Sequence, residues 1–76
     1  MTNRKKGLIY LKALEVATIE NEIELTNILI DKIIECIIFL NTEEKENYLN
    51  YIQGFKNWYD FKAKTMYLLE RKIKLI

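Results

Sequence analysis

The side chains that could do chemistry are few, and their spacing suits catalysis poorly. The sequence holds one cysteine, Cys36, with no histidine and no serine, so neither a Ser-His-Asp nor a Cys-His arrangement can be assembled. Cys36 lies in Ile34-Glu35-Cys36-Ile37-Ile38-Phe39-Leu40, where a thiol reads as a small buried hydrophobe. The usual zinc ligand sets need several Cys or His and cannot be written. Gly7 and Gly54 stand alone, which leaves no Walker A loop, no dinucleotide fingerprint and no phosphate cradle. Glu43 and Glu44 could act as an acid-base pair, but they belong to a charged, solvated run. The sequence therefore predicts no catalytic residue, no cofactor and no metal.

Binding chemistry is better represented. Seven of the nine aromatic residues fall between Tyr48 and Tyr67, and Tyr51, Phe55 and Trp58 follow one another at i, i+4 and i+7, with Lys62 one turn further on. Rings in a small helical protein most often fill the core. Exposed, such a row beside a Lys would be a partner-binding face, since Trp and Tyr are enriched where interfaces concentrate their energy.

Charge is segregated along the chain although the net charge is only +1. Residues 1–14 carry Arg4, Lys5, Lys6 and Lys12 and no acid. Residues 15–46 carry nine acids against Lys32 and Lys45, and residues 47–76 are again basic through Lys56, Lys62, Lys64, Arg71, Lys72 and Lys74 against Asp60 and Glu70. Arg4, Lys5, Lys6, Arg71, Lys72 and Lys74 form a candidate basic end.

The elements that position these groups are helices. There is no proline, and steps of three and four from Ile9 run through Lys12, Val16, Ile19, Ile23, Thr26, Ile30, Ile33, Ile37 and Leu40 without a phase slip. A second series runs through Tyr48, Ile52, Phe55, Tyr59, Lys62, Met66, Leu69, Ile73 and Ile76. Only Leu8 to Val16 is locally tolerant of a strand. Between the series, Asn41 or Thr42 can cap a helix, with Glu44 three residues after Asn41. The expected architecture is all-α and a single domain: a helix over about residues 5–40, a turn at about 41–43 and a helix over about 43–73. Asn21 with Glu24 could form a second capping box and break the first helix near residues 18–22, giving a three-helix unit. Unbroken, the helices would each be about 45 to 55 Å long.

A chain of 76 residues without disulfide or metal has a marginal core, and its apolar stripes are too wide for one hairpin to cover, which predicts a homodimer. Two hairpins packed antiparallel would set Lys72 and Lys74 of each beside acids such as Glu22 and Glu24 of the other. The expected function is a small non-enzymatic protein-protein interaction module, a regulator or inhibitor that occupies a surface of a partner protein. The alternative is a nucleic-acid-binding regulator using the basic terminal segments. The most apolar segment, Ile28 to Leu40, is interrupted by Asp31, Lys32 and Glu35, so no membrane span is expected. The basic N-terminus has no convincing cleavage site, and a free buried Cys36 fits a reducing cytoplasm. Abundant Ile, Lys and Asn suggest an AT-rich genome, such as that of a prokaryote, a phage or a mobile element.

Overall fold

The computed structural model describes residues 2–58 and 64–76, and within them the chain forms four helices and no strand: α1 (Asn3–Ile19), α2 (Ile23–Ile37), α3 (Thr42–Trp58) and α4 (Lys64–Lys74). The all-α class expected from the periodicity is the class observed. The starts of α1 and α3 and the end of α1 have local causes. The Thr2 hydroxyl accepts the Lys5 amide at 3.2 Å and begins α1. Before α3, the Asn41 side chain accepts the Glu44 amide at 2.8 Å while the Glu44 carboxylate accepts the Asn41 amide at 3.2 Å. This reciprocal pair is the capping box that the sequence spacing predicts.

The first half breaks near residues 18–22, but Asn21 acts there in a different way from the one expected. It ends α1 instead of capping α2. Asn21 has a φ of 59°, the left-handed region that Asn tolerates better than most residues. Its amide donates to the Thr18 carbonyl at 3.2 Å and the Glu22 amide to the Ala17 carbonyl at 2.9 Å, the two bonds of a Schellman ending. Glu22, at the start of α2, makes no side-chain cap bond.

The second half differs more. A single helix over about 43–73 is replaced by α3 and α4. In one continuous helix, Lys56 and Glu70 would stand about 21 Å apart; here the Lys56 ammonium donates to the Glu70 carboxylate at 2.7 Å. The chain has therefore turned back on itself between them.

The helices close a ring, α1 on α2, α2 on α4, α4 on α3 and α3 on α1. The molecule spans 30 × 21 × 20 Å, well short of a long hairpin. Its radius of gyration of 11.3 Å equals the roughly 11 Å expected of a compact chain of this length. The core combines Leu11, Leu14 and Ala17 of α1, Leu29, Ile30, Ile33 and Ile37 of α2, Leu40, then Tyr48, Ile52 and Phe55 of α3 and Met66, Leu69 and Ile73 of α4. Folding back thus covers within one chain part of the stripes that a hairpin would have left open, while Ile9, Val16, Ile23, Ile38 and Leu68 stay exposed.

From Thr26 onward every described member of the predicted series except Ile76 is buried, with Leu29, Cys36 and Lys56 buried beside it; Tyr59 and Lys62 lie outside the described residues. In α1 the buried positions do not follow the series. Ile9 and Val16 are exposed, as is Ile23 at the start of α2, while Gly7, Leu11, Leu14, Ala17 and Thr18 face inward. The series from Ile9 to Leu40 assumed one straight helix. Once Asn21 turns the chain, α1 is free to choose its own face, and it presents small Gly7 and Ala17 where the helices approach.

Candidate functional site

Of the expected row Tyr51, Phe55, Trp58 and Lys62, the side chains described are Tyr51 and Phe55, and they differ in exposure. Tyr51 is 59% exposed, whereas Phe55 is 7% exposed and belongs to the core. The cause is geometric: positions i and i+4 differ by about 40° around a helix, so the row slants from surface to interior. Phe55 is therefore corrected from contact residue to core residue. Trp58 closes α3; its side chain and Lys62 lie outside the described residues.

Arg4, Lys5 and Lys6 are exposed on the first turns of α1, and Arg71, Lys72 and Lys74 on the last turn of α4. Arg4 lines a groove with α3, Lys72 lines another with α2, and Lys74 is held by the Glu70 carboxylate at 3.3 Å. Lys12, which interrupts the predicted first series, is exposed and lies 3.8 Å from Glu15.

The structure brings Arg4 and Tyr51 together. They line an open groove of about 450 Å³ with Asn47, Asn50 and Gly54. On α3 these residues fall at 47, 50, 51 and 54, one face of the helix. The face is turned toward α1 by a buried bond beneath it, where the Tyr48 hydroxyl donates to the Gly7 carbonyl at 2.8 Å. A Cβ on Gly7 would stand 3.4 Å from the Tyr48 ring and 3.8 Å from Cys36 Cβ, ordinary contact distances, so the approach leaves room for no more than a methyl group. Burial pushes the Tyr48 phenol well above its ordinary value, with smaller contributions from Cys36 and Glu15, so Tyr48 stays a neutral donor. A Cβ on Gly54, by contrast, would meet nothing within 4 Å, which leaves the groove open at that point.

The groove is rich in hydrogen-bonding groups and poor in reactive ones. Arg4 adds a guanidinium, Asn47 and Asn50 add amides, and Tyr51 adds a phenol and a flat apolar ring. Glu44 lies alongside Arg4 at the neighbouring end of the groove, yet one of its carboxylate oxygens serves the α3 cap. Among the described residues no carboxylate stands within ion-pair distance of Arg4. This combination can hold a carboxylate or a peptide strand, and it offers no nucleophile and no base. Asn47, Asn50 and Gly54 were not singled out in the sequence. Their common face was legible in the spacing, but only the docking of α1 makes it a wall.

A second polar cluster is structural. Lys56 is 5% exposed; its ammonium pairs with Glu70 and lies 4.2 Å from the centre of the Tyr67 ring. The Lys56 hydrogen bond, helped by Lys74, holds the Glu70 carboxyl below its ordinary value despite partial desolvation. Cys36 is buried and free. Among the described residues no three Cys, Asp or Glu side chains are grouped to hold a metal ion, and no helix is long and apolar enough to cross a membrane.

No protein-family model, no curated protein and no solved structure matches the chain.

Proposed function

We propose that the protein is a non-enzymatic binding module that holds an acidic, extended segment of a partner protein in the groove between α1 and α3, and regulates or inhibits the partner by occupying it. One observation carries this reading: a guanidinium with no ion-pair partner among the described residues stands beside an exposed Tyr51 over an open groove. Arg and Tyr are the residue types in which interfaces concentrate their energy, and an unpaired Arg gains most from a planar carboxylate. Gly54 supports an extended ligand, because a backbone can approach closely where no side chain stands. The separation of Arg4 from Lys72 into different grooves favours a protein over a nucleic acid, which would be held best by a continuous basic strip. The buried free Cys36 supports action in a reducing compartment such as the cytoplasm.

The test is selection of short random peptides on the full chain. Enrichment of Asp- and Glu-containing sequences, lost in Arg4→Glu and weakened in Tyr51→Ala while circular dichroism stays unchanged, is the expected result. Equal retention by Arg4→Glu would overturn the assignment. Electrophoretic mobility with DNA and RNA at low and moderate salt tests the alternative, because phosphate-driven binding falls steeply with salt.

A further inference from the structure

The second groove, between α2 and α4, carries its own complement. Asp31, Ile34 and Glu35 form one wall, Lys72 and Leu75 the other, around a volume of about 530 Å³. Exposed Ile38 continues the α2 wall one turn beyond Ile34, and exposed Leu68 continues the α4 wall one turn before Lys72. Leu75 is 80% exposed, and Ile34 beside it is only half-buried. One wall is therefore acidic and apolar, the other basic and apolar. Lys72 and Asp31 line the same groove without an ion pair between them within 4.0 Å, and among the described residues the salt-bridge partner of Glu35 is the exposed Lys32 at 3.8 Å.

We propose that this face binds a second copy of the chain, in a two-fold dimer whose axis runs along the groove. Rotation by half a turn about such an axis lays the α2 wall of one copy over the α4 wall of the other and preserves position along the groove. Lys72 of each copy then meets Asp31 and Glu35 of its partner, and each Leu75 enters the apolar strip of Ile34 and Ile38. A two-fold contact uses the same patch twice, so the patch must be complementary to itself. A wall of each sign on either side of one apolar strip meets that condition. The pairing differs from the one expected of two antiparallel hairpins: Lys74 is occupied by Glu70, and Asp31 and Glu35, not Glu22 and Glu24, line the groove with Lys72. The groove shares no residue with the one assigned to the partner segment, so dimerisation and partner binding are separable.

The test is sedimentation equilibrium on the full chain. The parent is expected to dimerise at micromolar concentration. Lys72→Glu alone, and Asp31→Lys combined with Glu35→Lys, each place like charges opposite one another and should weaken self-association at least about tenfold. Mixing the two variants in equal amounts should restore the dimer, because every contact in the mixed pair again joins opposite charges. Leu75→Asp, at a position that supports nothing within its own chain, should also give a monomer with unchanged helicity. A monomeric parent, either charge variant associating as tightly as the parent, or a mixture that stays monomeric would overturn the proposal.

Discussion

The Lys56 ammonium, in α3, sits 2.7 Å from the Glu70 carboxylate, in α4, and the pair closes the second helical hairpin from within. A buried ion pair adds little relative to an apolar pair of the same shape, but breaking it from one side strands a charge. Glu70→Ala should therefore cost about 3 kcal/mol, whereas Lys56→Met, which leaves Glu70 its contact with Lys74, should cost less than about 1 kcal/mol. Urea melts of the two variants decide the matter, and equal losses would show that the pair acts as ordinary packing.

The same pair sets the response to acid. Because the Glu70 carboxyl is held below its ordinary value of 4.5, the folded state gains stability from its ionised form. That contribution is complete above the unfolded value and is lost as pH falls through the lower folded value. Melting temperature should decline as the pH is lowered below about 4.5, and the decline should be shallower in Glu70→Gln. Parallel profiles for the two proteins would contradict this.

Ile33 and Ile37 are wholly buried, one turn apart on the α2 face toward the core. Truncating either to Ala removes three carbons from a packed site and should cost about 2 to 5 kcal/mol. For a chain with a total stability on the order of 4 to 11 kcal/mol, either variant would be partly unfolded at physiological temperature. A loss below about 1 kcal/mol in urea melts would show that the site relaxes around the cavity.

Thr18, near the end of α1, is buried, and among the described residues its hydroxyl has no hydrogen-bond partner. Thr18→Val keeps the shape and removes the unmatched polar group, so stability should rise by about 1 kcal/mol. Thermal melts check the sign; a loss would place an ordered water on that hydroxyl.

Gly54→Ala separates the groove from the fold. Alanine at an exposed helical position open on all sides should raise stability by about 0.5 to 1 kcal/mol. If a peptide strand lies against Gly54, the added methyl should weaken its binding at the same time. A variant both more stable and equally active would move the ligand away from this point in the groove.

The sequence disclosed the second half of the core almost residue by residue, since Ile30, Ile33, Ile37, Tyr48, Ile52, Met66 and Leu69 follow a simple period and are buried. The Asn41–Glu44 cap was equally legible, because its chemistry is local. What escaped was everything that depends on chain reversal. The period runs on from Tyr48 to Ile76 with Lys62 as its one polar member, and no Pro or Gly falls between Trp58 and Lys64, so nothing local marked α3 and α4 as separate helices. In the sequence Lys56 is only one of the basic residues of the last third, its partner being fourteen positions away. Tyr51 was found and Asn47, Asn50 and Gly54 were not, because a groove belongs to two helices and a spacing pattern describes only one.

The bond from Tyr48 to the Gly7 carbonyl joins positions 41 residues apart, whereas α1 with α2 and α3 with α4 are neighbours along the chain. Local contacts close with little loss of chain entropy, so the two hairpins can form early and on their own, and the distant contacts follow when the halves dock. Tyr48 then belongs to the last step of folding. Losing its hydroxyl would leave the folding rate nearly unchanged and shorten the lifetime of the folded state, and with it the lifetime of the groove that the docking of α1 on α3 creates.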